Sequence, residues 1–142
     1  MILLDTNIIS EFMRPSPQPQ VMQWLHQQTL TDLFISSVAI TEVMYGLNRL
    51  PEGKRKQNLL LQFQQLLNQA FKQRILNFGY DEAMVSAQLR TLRAEQGNEL
   101  HFADAQIAAI AHVRSFSVAT RNSPKTDTPT PPPITIPFHN EI

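Results

Sequence analysis

The sequence predicts a three-layer α/β domain, a parallel sheet of four to five strands flanked by helices, and three observations carry that reading. An uninterrupted apolar run, Met1-Ile2-Leu3-Leu4, opens the chain and stops at Asp5, as a short strand buried on both faces does. Further short apolar runs alternate with segments whose apolar residues recur at helical spacing. Parallel strands need crossover connections, and those connections pack as helices on the sheet.

The elements follow in order. Asp5-Thr6-Asn7 suits a helix N-cap, and Ile8, Ile9 and Phe12 continue at helical spacing until Pro15, Pro17 and Pro19 end the helix. Val21, Trp24 and Leu25 mark one face of a second helix, with Trp24 as core packing. Leu33-Phe34-Ile35 is the next strand; Ser36-Ser37 caps a helix to about Leu50, where Pro51-Glu52-Gly53 turns. Leu59, Phe63, Leu66, Leu67 and Phe71 line one face of a long helix, and Ile75 to Phe78 reads as a strand. Val85, Leu89 and Leu92 form a helix stripe that closes near Gly97. An alanine-rich helix spans Phe102 to Val113, a strand spans Phe116 to Thr120, and Ile134-Thr135-Ile136 gives a last short strand. Residues 123–133, rich in Pro and Thr, suit a stiff exposed loop.

With 142 residues the chain is expected to form one domain over 1–142. Lys+Arg and Asp+Glu number 12 each, so bulk charge does not announce a polyanion partner. There is no cysteine, which removes disulfides, thiolate metal sites and cysteine nucleophiles. The apolar start is too short for a signal peptide or a membrane span, so a cytoplasmic protein with no membrane partner is expected. A Gly-rich phosphate loop and a nucleophile elbow are both absent.

Three carboxylates sit where carboxylates are unexpected. Asp5 ends the first strand and begins a helix; it reads equally as a helix cap or as a site residue, since ligands of open α/β sheets collect at the carboxyl ends of strands. Glu42 has Val38, Ala39, Tyr45 and Gly46 as helical neighbours, which places it on an apolar, packing face. Asp104 shares a face with Ile107, Ala108 and Ala111, the side expected to dock on the sheet; a helix N-cap is the alternative. Gathered at one sheet edge, such acids repel and raise one another's pKa values unless a cation lies between them. Hard oxygen ligands select Mg2+ or Mn2+, ions that activate water and steady charge on a phosphodiester.

The pattern resembles the PIN-domain ribonucleases, and among them the VapC and FitB type of toxin from bacterial toxin–antitoxin pairs. The residues that carry the resemblance are MILLDTNIISEFMRP, SSVAITEVMYGLNRLPEGKR, ILNFGYDEA, and FADAQIAAIA followed by VATRN, from Met1 to about Asn122. It implies a parallel sheet between helices and a metal-dependent endoribonuclease using Mg2+ or Mn2+. By motif, Asp5, Glu42 and Asp104 match three acids of the site, and Thr6 a hydroxyl supporting the first. The resemblance also implies a homodimer and a cognate antitoxin that covers the site, with the pair assembling further on DNA.

One departure stands out. Relatives carry a fourth acid two or five residues beyond the Thr that ends the later strand, and here those places hold Asn122 and Lys125. Asn122 offers an amide oxygen without charge; Asp127 is the nearest acid. The alternative to an active nuclease is therefore a PIN-fold binding or dimerisation module with weakened catalysis. A third reading, a phosphatase or receiver-like switch, is disfavoured because Asn7 stands where a second acid is needed. For an RNA substrate, Arg121 beside the site is the candidate phosphate contact or a salt-bridge partner of the acids. Lys54-Arg55-Lys56 beside Gly53, with Arg49 before it, and Arg90 with Arg93 offer further positive charge, the Lys54 cluster reading more simply as a solvated face. His101 lies three residues before Asp104, and the histidines show no ligand spacing.

Overall fold

The computed structural model describes residues 1–121 and the strand at 134–137. The segment expected to be an exposed loop, 123–133, lies outside the described residues, as do Asn122 and Asp127.

Five strands form one sheet: β1 (Ile2–Leu4), β2 (Leu33–Ser36), β3 (Ile75–Leu76), β4 (Ser117–Thr120) and β5 (Ile134–Pro137), in the order β3-β2-β1-β4-β5. The first four are parallel, with Leu3 opposite Phe34 on one side and Val118 on the other. β5 runs antiparallel to β4, Val118 facing Ile136, so the fifth strand departs from the all-parallel expectation. The 13 residues between Thr120 and Ile134 include five prolines, a composition that does not suit the crossover helix by which parallel neighbours are joined. β1 is central, and its Leu3 and Leu4 are fully buried, which is why the chain opens with an unbroken apolar run rather than an alternating one.

Among the described residues six α-helices accompany the strands: α1 (Thr6–Glu11), α2 (Pro19–His26), α3 (Ser37–Asn48), α4 (Lys54–Gln65), α5 (Tyr80–Glu95) and α6 (Phe102–Arg114). Local chemistry sets their ends. Pro19 occupies the first turn of α2, Ser36 caps α3 by accepting the Ala39 N–H at 3.0 Å, and Gly97 follows α5 with φ 71°, a conformation that suits glycine. The long helix expected through Phe71 is interrupted. α4 gives way to a π turn at Leu66–Ala70, closed by Phe71 N–H to Leu66 O at 3.2 Å. On an ideal helix Phe71 would sit about 80° round from Phe63. The wider turn rotates it back, and both rings are buried in the core.

The main core joins the sheet to α1–α4 and one face of α6, through Ile8, Ile9, Val43, Phe63, Ile107 and Ile110, with Trp24 packed against it. A smaller cluster of Leu89, Ala108 and Ala109 joins α6 to α5. Thus α6 is buried on two sides, and its alanines let both neighbours approach. Glu82 fastens the same pair: it accepts Gly79 N–H at 3.0 Å at the start of α5 and Arg114 Nη1 at 2.9 Å from the end of α6. Among the described residues no helix is long and apolar enough to cross a membrane.

Candidate active site

The strand order puts the ends of β1 and β4 side by side where the sheet changes direction of growth: β1 leads to β2 and β3 on one side, β4 lies on the other. Crevices at such points are where open α/β sheets take ligands. Asp5 leaves β1 with its N–H donating to Ala119 O at 2.9 Å, so the parallel ladder itself fixes where its side chain begins.

Asp5 does both things the sequence left open. Its Oδ1 accepts the Thr6 N–H at 2.8 Å as the cap of α1, and its Oδ2 accepts the Thr120 hydroxyl at 2.8 Å. Burial pushes the Asp5 pKa up from its ordinary value; the bonds from Thr120 and Thr6 oppose this, and the charge of Asp104 adds to it. A carboxylate held by two donors and still raised is one whose environment asks for a positive charge.

Glu42 does not lie on the packing face. The buried stripe of α3 is Ala39, Val43 and Leu47, while Tyr45 is 63% exposed; Glu42 flanks that stripe, half-buried. Its pKa is raised, first by burial and then by the charges of Asp5 and Asp104, with His101 and the Thr6 hydroxyl favouring the ionised form. The Thr6 influence is through proximity: Thr6 Oγ1 and Glu42 Oε1 are both buried and neither completes a hydrogen bond. Asp104 stands in the first turn of α6, where negative charge suits the helix dipole. It is not the N-cap, a place taken by His101. Ile107, Ala108 and Ala111 on its helix face are buried as expected.

Asp5, Thr6, Glu42, Asp104 and Arg121 line a single open cleft of ≈ 360 Å³, together with Asn7, Ser10, Glu11 and Arg14 of the α1 segment. The candidate acids therefore come to one place, but loosely. Among the described residues no three His, Cys, Asp or Glu side chains converge tightly enough to form a ready ligand set. The donors that are present, carboxylates with one orphaned buried oxygen, have the chemistry of a hydrated hard cation, whose waters fill most of its coordination shell. In that sense the residues fit Mg2+ or Mn2+.

Sequence reasoning passed over Glu11, Asn7 and Thr120. Asn7 Nδ2 donates to Thr120 Oγ1 at 3.3 Å, and Asn7 Oδ1 accepts the Arg121 N–H at 3.2 Å, tying α1 to the end of β4. Glu11 is 1% exposed; it accepts Arg14 Nη1 at 2.9 Å, Gln18 N–H at 2.9 Å and Arg121 Nη1. Of the two roles considered for Arg121, its side chain thus forms the salt bridge, with Glu11 rather than with the three acids. The signal for Glu11 was its helical spacing from Asn7 and Ile8, the latter on the apolar face. Arg90 stacks over the Phe102 ring at 5.2 Å, and Lys56 bonds to Glu52 at 2.6 Å, both outside the cleft.

Comparison with known proteins agrees with the geometry. Toxin FitB of Neisseria gonorrhoeae is 40% identical over 123 residues, covering 87% of this chain and 88% of that protein. A VapC ribonuclease of Sinorhizobium fredii is 33% identical over 123 residues, with the same coverage of 87% and 88%. The solved structure of FitAB bound to an IR36 DNA fragment superposes with a TM-score of 0.81 at 40% identity, covering 86% of this chain and 85% of the other. With residues 2–124 matching the PIN domain model as well, the chain belongs to the PIN-domain family.

Proposed function

We propose that the chain is the endoribonuclease toxin of a toxin–antitoxin pair, hydrolysing RNA phosphodiester bonds with Mg2+ or Mn2+. The observation that carries the reading is the meeting of Asp5, Glu42 and Asp104 in one cleft at the β1/β4 edge, supported by relatives named as a toxin and as a ribonuclease. Asp5 and Asp104 hold the metal; Glu42 is a further ligand or orients the water. When bound, the ion supplies an activated water and neutralises charge at the phosphodiester. Thr120 and the Thr6 N–H fix the Asp5 carboxylate in place. Thr6, buried beside Glu42, supports the same cluster.

The partners proposed with this reading are RNA, a cognate antitoxin and a second copy of the chain, with the toxin–antitoxin pair bound to DNA as in the FitAB complex. The proposed setting is the cytoplasm, and the proposed unit is one domain over 1–142. Asn122 is proposed as a neutral fourth partner of the cluster. That same residue favours one second reading, a PIN-fold binding or dimerisation module with weak catalysis, whose signature is antitoxin binding without cleavage of any class of RNA.

Purified protein freed of antitoxin is expected to cut RNA with Mg2+, to stop when EDTA is added, and to be inactive as Asp5→Asn. Cleavage that continues in EDTA refutes the metal mechanism.

A further inference from the structure

Glu11 is a buried carboxylate outside the group of acids assigned to the metal. A carboxylate taken out of water needs partners to offset its lost hydration. Here it is over-supplied: the Gln18 N–H and Arg121 Nη1 already reach it, and Arg14 adds a second guanidinium at 2.9 Å. Two cations on one anion leave a surplus positive charge at this end of the cleft, apart from the three carboxylates at the other. The two arginines differ in what they can still do. Arg121 is turned inward, its side chain 18% exposed and its N–H held by Asn7 Oδ1. The side chain of Arg14 is 56% exposed, and a guanidinium carries five N–H donors in a fork that matches phosphate oxygens.

We propose that Arg14 is a phosphate-binding residue of this cleft, with Glu11 and Arg121 as its positioning residues, and that it takes an RNA backbone phosphate flanking the one at the carboxylates. The proposal rests on the ribonuclease reading. Its geometry follows from α1: Glu11 lies six residues beyond Asp5, roughly 9 Å along a helix axis at 1.5 Å per residue, too far to share one phosphate. Arg121 alone can neutralise Glu11, which leaves the half-exposed Arg14 guanidinium free to serve a ligand.

The test uses the full chain carrying Asp5→Asn, so that RNA stays intact, and a fluorescent single-stranded oligoribonucleotide titrated without divalent ions at several KCl concentrations. Adding Arg14→Ala is expected to weaken binding about tenfold and to reduce the slope of log K against log salt by ~0.7, the value for one phosphate contact on a single strand. Arg14→Lys retains the slope with intermediate affinity. Glu11→Gln leaves both guanidiniums charged but releases Arg14 from its anchor, so Arg14→Ala costs less in that background than alone, as for residues acting as one unit. Unchanged affinity and slope in Arg14→Ala overturns the proposal while leaving the ribonuclease reading standing. A reference protein that binds no RNA overturns both.

Discussion

Replacing Asp5 by Asn removes a charge from a side chain only 8% exposed while keeping its shape. Asn caps helices as well as Asp does, so the bond from Thr6 N–H is retained, and the Thr120 hydroxyl can rotate to suit an amide. What changes is electrostatic. The folded-state pKa of Asp5 is raised by burial and by Asp104, so the native state prefers the protonated form. The stability this contributes is complete below the ordinary value of 3.8 and is lost as pH rises through the raised folded value. Glu42 follows the same direction from 4.5. The contribution of these two acids to the stability of metal-free wild-type protein therefore falls from about pH 4 upward, and Asp5→Asn escapes its share. Relief of a strained site of this kind is worth about 0.5–2 kcal/mol, or roughly 2–6 °C in a domain of this size. Saturating Mg2+ reverses the order: at a hundredfold excess over Kd it stabilises the wild type by about 2.7 kcal/mol and the variant hardly at all. Calorimetry at pH 4, 6 and 8, in EDTA and in Mg2+, reads both effects. Equal Mg2+ shifts in the two proteins, or a variant that melts lower than wild type at pH 8 in EDTA, would refute the reasoning.

Three further outcomes are expected. Thr120→Val removes the hydroxyl that lowers the Asp5 pKa, so the acid limb of the pH–rate profile of RNA cleavage moves to higher pH; the loss of one hydrogen bond to a charged group also costs about 1.5–3 kcal/mol, read by denaturant titration. Glu82 has a lowered pKa because bonds from its own N–H, Arg114 and Gly79 outweigh its burial. Its stabilisation is present above 4.5 and lost as pH falls through the folded value, so Glu82→Gln costs about 1 kcal/mol at pH 7 after solvent screening, with unchanged cleavage and a smaller decline in stability on acidification. Asn122→Asp is expected to tighten Mg2+ binding measured by isothermal titration; unchanged affinity places that position outside the metal site.

The parts of the fold that sequence periodicity reached are those dictated by local chemistry. A strand buried on both faces must be apolar throughout, as Leu3 and Leu4 are, and caps such as Ser36 and Asp5 declare helix starts. What periodicity could not reach depends on partners distant in sequence. The π turn at Leu66–Ala70 answers the need to bring Phe63 and Phe71 to one core, and the antiparallel direction of β5 belongs to its pairing with β4 and is not encoded in its own residues. Glu42 flanks the buried stripe of α3 and does not lie within it, because neighbours at three and four residues span both flanks of a helix and only the packing decides between them. Glu11 escaped notice for a similar reason. Its partner Arg121 is 110 residues away, and no local pattern distinguishes a carboxylate bound for a buried pair from one bound for solvent.

The cleft and the sheet are two uses of the same bonds. Asp5 N–H extends the β1–β4 ladder to Ala119, its carboxylate reaches Thr120 at the end of β4, Thr120 accepts Asn7, Asn7 accepts the Arg121 N–H, and Arg121 reaches Glu11. Each link joins the α1 segment or its cap to β4 or to Arg121 directly after it, so the register of two parallel strands is transmitted to the side chains of the site. A slip of one residue in that register would turn Thr120 to the other face of the sheet and break the tether at Asp5. The like-charged acids, by contrast, are held against their own repulsion, a cost borne by the core beneath them. Stability and site geometry are therefore coupled with opposite signs in one small region: the polar tether fixes the place of Asp5, and the acids gathered beside it are the groups that the proposed cation would relieve.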